Sequence, residues 1–149
     1  CTPEDEKDDV EALFGQIDWK ESTLPDYKAK YFRRPKEKQS DQAGLNEKWI
    51  CYANEWIAAK EVTVAPGYEV LLRDGACYCA LVVQGHGRFG DYDCEAPGLL
   101  RFDQISGDEF FVSDGAAKKG VIIRNTSSYE DLVILQNFAN NNPYVPQTV

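Results

Sequence analysis

Cys77 and Cys79 stand two residues apart in a strand-like run, so both thiols project to one face, and His86 follows a short way on. Two thiolates and an imidazole are zinc-type donors. No fourth ligand accompanies them, and His86 lies in the Gly85-His86-Gly87 turn beyond the run, so the two cysteines are expected as small apolar core residues. His86 is the single histidine. Its intrinsic pKa suits proton transfer near neutral pH, against the plainer expectation that a turn histidine hydrogen-bonds its own hairpin. If Cys77 faces inward, the two-residue period turns Arg73, Cys79, Leu81 and Val83 inward as well. An arginine in such a place needs an anion or a carboxylate, because burying it alone is costly. The competing expectation pairs Arg73 at the surface with Glu61, Glu69 or Asp74. Lys60, Arg101, Gln104 and Gln136 are further polar residues on neighbouring strand-like runs, their facing left open. The candidate ligand-binding set is therefore Arg73, Lys60, His86, Arg101 and Gln136, with no catalytic residue assigned.

The elements that must position these residues are short strands. Residues 49–53, 56–64, 69–73, 77–84, 98–103, 109–113, 121–125 and 132–138 are apolar or alternating runs at the regular spacing of a β sandwich or barrel. Pro66-Gly67, Asp74-Gly75, Gly85-His86-Gly87, Gly90, Pro97-Gly98, Gly107 and Asp114-Gly115 supply the reversals between them. Ahead of the strands the period is helical. Val10, Leu13, Phe14 and Ile17 predict a helix over 5–18 with Asp8 or Asp9 at its cap, weakened by Gly15. A second short helix is predicted over 24–35, opened by Pro25 and stopped by Pro35. Residues 36–46 read as a polar linker, and the tail from Asn140 as irregular. The predicted organisation is an N-terminal arm over 1–46, a barrel over 47–140 and a tail over 141–149.

Composition narrows the classes of function. The formal charge of −9 argues against nucleic acid, whose phosphates repel an acidic chain. No apolar run approaches the ~20 residues that cross a bilayer, so a soluble chain without a membrane span is expected. The charge is uneven, with an acidic head from Glu4 to Glu11 and a basic stretch from Lys28 to Lys38, read as a solvated arm. Five cysteines without the spacing of a disulfide framework fit a reducing, cytoplasmic compartment. The chain contains no Met and begins at Cys1, which reads as a processed or excised piece. A cysteine followed by an acidic polar segment is also how a mature bacterial lipoprotein begins, so lipid anchoring or secretion through Cys1 is the alternative.

Pro66-Gly67, the apolar strand ending in Gly85-His86-Gly87, Gly107-Asp108, and Asn125 before an apolar run resemble, in order and spacing, the cupin pattern over residues 56–138. The resemblance implies an all-β double-stranded β-helix, a jelly-roll barrel, here with one or two short N-terminal helices. It also implies a divalent metal held by two His and a Glu from the first motif and a His from the second. Counting from Gly67 puts Arg73, Gly75 and Cys79 at the first three places; counting back from Gly85 puts Leu71, Arg73 and Cys77 there. Val121 or Lys118 stands at the fourth. No cofactor is therefore expected. Residues 17–145 are further similar to the last cupin segment of longer bacterial mannose-6-phosphate isomerase-like proteins. The residues that carry this are Asp18-Trp19, Tyr31-Phe32-Arg33-Arg34-Pro35, Lys48-Trp49-Ile50, Gln84-Gly85-His86-Gly87 and Asp108-Glu109-Phe110-Phe111-Val112. That similarity implies a sugar or sugar-phosphate context. Two readings follow: a metal-free cupin module that binds such a ligand or serves structurally within a longer chain or homo-oligomer, and an isomerase- or epimerase-like enzyme using Arg73, Lys60 and His86. Pairing through barrel edges would make Trp19, Tyr31, Phe32 and Trp49 the apolar anchors of a homodimer; otherwise they cover their own barrel.

Overall fold

Strict alternation of inward and outward side chains builds the body of this protein. In a computed structural model that describes residues 8–98, 102–139 and 141–148, the strands are β1 (Lys36–Lys38), β2 (Leu45–Cys51), β3 (Ile57–Val64), β4 (Glu69–Leu72), β5 (Tyr78–Gln84), β6 (His86–Phe89), β7 (Tyr92–Glu95), β8 (Glu109–Val112), β9 (Val121–Asn125) and β10 (Leu132–Ala139). Every second residue of β3, β5 and β10 is buried: Ala58, Lys60, Val62 and Val64; Tyr78, Ala80 and Val82; Leu132, Ile134, Gln136 and Phe138. One antiparallel sheet runs β1-β2-β3-β10-β5-β8 and the other β4-β9-β6-β7. The order β3-β10-β5-β8 beside β4-β9-β6-β7 is the double Greek key of a jelly roll. The fold is all-β, with a few short helices.

The core lies between the two sheets, with Val70, Leu72, Phe89 and Ile123 of the smaller sheet meeting the inward faces of the larger. Phe89 and Phe110 stack with ring centroids 4.5 Å apart. Buried Asn125 ties the last reversal down, donating from Nδ2 to the carbonyls of Val64 and Glu130 and accepting at Oδ1 from the Ser127 amide. That tie gives the motif asparagine a structural reason. Unexpected from the sequence were β1, the β6–β7 hairpin and a helix, α4, over Asp114–Lys119. Ser113 caps that helix through Ala116 N and Gly120 ends it at φ 101°. The segment read as a linker thus contains β1 and the start of β2. Of the run predicted as a strand over 98–103, Gly98, Phe102 and Asp103 are not in a strand, and residues 99–101 lie outside the described residues.

Two compact units divide the chain, the first ending at Arg33 and the second running from Arg34. The first holds α1 (Val10–Gly15), α2 (Trp19–Ser22) and α3 (Tyr27–Tyr31). Asp9 caps α1 and Asp18 caps α2, each through its side chain. Trp19 stacks on Phe14 and donates from Nε1 to its carbonyl, while Glu21 accepts from both Lys30 and Tyr31. Trp19, Tyr31 and Phe32 remain exposed, whereas Trp49 is buried inside the roll. No helix of the described residues is long and apolar enough to cross a membrane.

The cysteines behave differently from one another. Cys94 is buried, and burial pushes its thiol up to about 11. Cys79 is exposed on the outer face of β5, contrary to its expected place in the core. A maleimide at neutral pH should therefore label Cys79 in the folded chain and Cys94 only after denaturation. Peptide mass mapping of the labelled chain checks this; labelling of Cys94 in native buffer would contradict its burial.

Candidate functional site

A lysine at the centre of the roll defines the site. Lys60 is inward on β3, directly opposite Gln136 on β10 and Trp49 on β2, and no part of its side chain reaches solvent. Its Nζ donates to Asp74 Oδ2 at 2.9 Å, to Asp74 Oδ1 at 3.1 Å and to Glu47 Oε1. Glu47 is inward on β2, and Lys38 of the neighbouring β1 donates to its Oε1 at 2.9 Å. Asp74 follows β4, its side chain as buried as that of Lys60, and accepts from Asn142 Nδ2 at 3.3 Å. The tail carrying Asn142 is tacked down along its length: Pro143 rests on Gly75, Ala53 N donates to the Pro146 carbonyl, and Lys36 Nζ donates to the Thr148 carbonyl.

Aromatic rings complete the wall. The centroids of Trp49 and Phe138 lie 5.5 Å and 6.0 Å from Lys60 Nζ. Tyr78 Oη and both polar atoms of Gln136 are buried, and none meets a protein partner in hydrogen-bonding geometry. Burial holds the Tyr78 phenol above its ordinary range; the Asp74 carboxylate adds to this and the adjacent Gln136 amide opposes it. Burial likewise pulls the Lys60 ammonium below its ordinary value, opposed first by Asp74 and then by Glu47. Chemically, this is an ammonium clasped by two carboxylates, with a spare amide and a spare phenol beside it.

On the surface beside the cluster lies a groove of about 360 Å³ lined by Lys38, Gln39, Ser40, Gln42, Glu47, Leu71 and Arg73. Gln42 holds one wall in place, accepting from Leu71 N at 2.7 Å and donating to Leu71 O at 2.9 Å. Arg73 is exposed, and its Nε donates to the Lys119 carbonyl at 3.1 Å.

The structure thus gathers Lys60 and Gln136 in the interior and sets Arg73 on the groove. The inward facing expected of Arg73, Cys77, Cys79, Leu81 and Val83 is reversed. Arg73, Cys79 and Val83 are exposed and Cys77 and Leu81 only half-buried, while Asp74, Tyr78, Ala80 and Val82 point in. The reason is phase: the alternation runs unbroken through buried Leu72, Asp74, Ala76, Tyr78, Ala80 and Val82, so starting the count from an inward Cys77 displaces the whole set by one residue. His86 is not in a turn but on β6, exposed and opposite Glu95. It lies on the smaller sheet, outside the interior that holds Lys60, so the Arg73, Lys60 and His86 set of the enzyme reading is not gathered in one place. Arg101 lies outside the described residues, and Gln104 is exposed in a turn. Sequence reasoning missed Glu47, Asp74, Tyr78 and Asn142. The available signal was Glu47 two residues before Trp49 on an alternating strand, which turns both to one face.

The divalent metal that the cupin resemblance implies does not fit these residues. An ammonium already sits between the only two carboxylates of the cluster, and no imidazole points inward. Among the described residues no group of three or more His, Cys, Asp and Glu side chains converges.

No protein-family model matches the sequence, and no curated protein does. Solved structures similar to it include an RmlC-like cupin protein from Ralstonia eutropha, at 12% identity over 71% of this chain and 62% of that one, with a TM-score of 0.49. A cupin 2 domain-containing protein from Halorhodospira halophila matches at 16% identity over 74% of each chain, also with a TM-score of 0.49. The Rhodobacter sphaeroides complex of SigE with the anti-sigma ChrR matches at 14% identity, over 92% of this chain and 67% of that one, with a TM-score of 0.49. This chain spans just under two thirds of the Ralstonia protein's length. Its jelly-roll fold is established by its own strand order.

Proposed function

We propose that this jelly roll is a metal-free cupin-type module that binds a small sugar or sugar phosphate in the groove above the Lys60 cluster. The observation that carries the reading is Glu47, which is both a wall of the groove and a partner of buried Lys60. Ser40, Gln39 and the Glu47 carboxylate offer the mixed donors and acceptors that hydroxyl groups need. Arg73 suits the phosphate. Its Nε bond to Lys119 aims the guanidinium, and among the described residues its terminal nitrogens make no further protein hydrogen bond. A planar fork of this kind matches phosphate in two-point contact. Lys38, already tied to Glu47, stands beside it as a second positive charge.

Thermal unfolding with mannose 6-phosphate, mannose and inorganic phosphate tests the reading. At about 100 times its dissociation constant a ligand stabilises the folded state by ~2.7 kcal/mol. Mannose 6-phosphate is expected to raise the unfolding temperature more than mannose or phosphate alone. Arg73→Ala, at an exposed position, should leave the unliganded protein unchanged and remove the difference. No shift with any hexose phosphate at millimolar concentration, or a shift indifferent to Arg73, would contradict it.

A further inference from the structure

The charges around Lys60 have a definite sum. Glu47 and Asp74 bring two negative charges, and Lys38, which reaches Glu47 from the groove, brings one positive. One negative charge is left for the interior to neutralise. We infer that the barrel interior is a monocation site, and that Lys60 is its resident cation, tethered to β3. A single ammonium closes the balance, while a divalent ion would leave an excess positive charge in a region closed to water. The walls point the same way. Two aromatic faces lie within 6.0 Å of Nζ, a setting that favours an organic ammonium over a strongly hydrated metal ion. Buried Gln136, paired opposite Lys60 on β10, and buried Tyr78 add neutral polar groups to the same interior. This site is separate from the groove ligand: it is filled by the chain itself, and its test does not depend on what the groove binds.

Chemical rescue is the direct experiment. Lys60→Ala removes the side chain beyond Cβ, a fragment that n-propylammonium restores. Millimolar n-propylammonium is expected to raise the unfolding temperature of Lys60→Ala by at least about 4 °C, the shift of roughly 1 kcal/mol in a domain this size. It should leave the wild-type protein unchanged. Uncharged n-propanol is the cavity-filling control and should do little, as should Mg²⁺, Mn²⁺ and Zn²⁺. Stabilisation of Lys60→Ala by a divalent ion above that by propylammonium would overturn the inference, and so would equal rescue by propanol. Where Lys60→Ala alone does not fold, the same charge balance predicts that Lys60→Ala with Asp74→Asn does. There Glu47 and Lys38 already cancel, and propylammonium should bring no gain. A double variant no more stable than Lys60→Ala, or one that still responds to propylammonium, would also overturn it.

Discussion

Asp74→Ala is expected to destabilise the folded state by about 3–5 kcal/mol, the range for breaking a buried ion pair by removing one partner. Two of the three oxygens that Lys60 Nζ reaches belong to Asp74. Neither side chain touches solvent, so water does not take the place of the lost carboxylate. Asn142 loses its acceptor in the same step, which loosens the tail over that end of the roll. The loss should appear in urea as a lower midpoint with little change in slope, and on heating as a fall in unfolding temperature of roughly 10 °C or more. Lys60→Met together with Asp74→Leu should recover much of it, because a matched apolar pair leaves no charge uncompensated. A cost below about 1 kcal/mol for Asp74→Ala is the value of an exposed ion pair and would mean that the cluster is hydrated.

Gly87→Ala carries the second large effect. A Cβ on Gly87 would lie 2.1 Å from the Arg124 carbonyl oxygen, which is backbone held in the β6–β9 pairing at Gly87↔Asn125. No flexible side chain can move aside, so the ladder itself must open. We expect a loss of about 2–4 kcal/mol, the larger end of overpacking. Amide exchange should quicken along β6 and β9 more than along β3 and β10. Gly15→Ala is the contrasting substitution, since nothing lies within 4 Å of its Cβ position and Gly in a helix is disfavoured relative to Ala by about 0.5–1 kcal/mol. Equal effects at the two glycines would remove the close-approach explanation.

Those glycines show what the sequence made legible. Gly85-His86-Gly87 reads as a turn, but the reversal is Gly85 alone, and Gly87 belongs to β6. Gly85 sits at φ 81° with a carbonyl 2.5 Å from its Cβ position, and Gly87 lies against the neighbouring strand. The long alternating runs of β3, β5 and β10 were readable because one face of each is buried, and a two-residue period survives wherever that is so. Of the short elements, β4, β8 and β9 were read from their apolar runs, whereas β1, the β6–β7 hairpin and α4 were not. The β6–β7 hairpin is built from polar and glycine residues such as His86, Arg88 and Asp93, whose pairing comes from neighbouring strands rather than from their own pattern. α4 is a single capped stretch with one buried residue, Ala117.

The candidate site was legible in part for the same reason. Lys60 and Gln136 sit on regular strands, so they were found as polar residues on strand-like runs, although their full burial was not. Arg73 and Asp74 are neighbours on an alternation that continues past the end of β4 to Tyr78, and one position of phase decides which enters the roll. Asn142 meets Asp74 only through the path of the tail, which no local pattern encodes.

Nitrogen-15-edited NMR of the lysine side chains tests the central claim, that a charged Lys60 is locked between Glu47 and Asp74 inside the roll. At neutral pH the expected result is one slowly exchanging ammonium signal, with through-space cross-peaks to the Trp49 ring and absent from Lys60→Met. A neutral amine at that position, or an ammonium that exchanges with water as fast as those of the surface lysines, would contradict it.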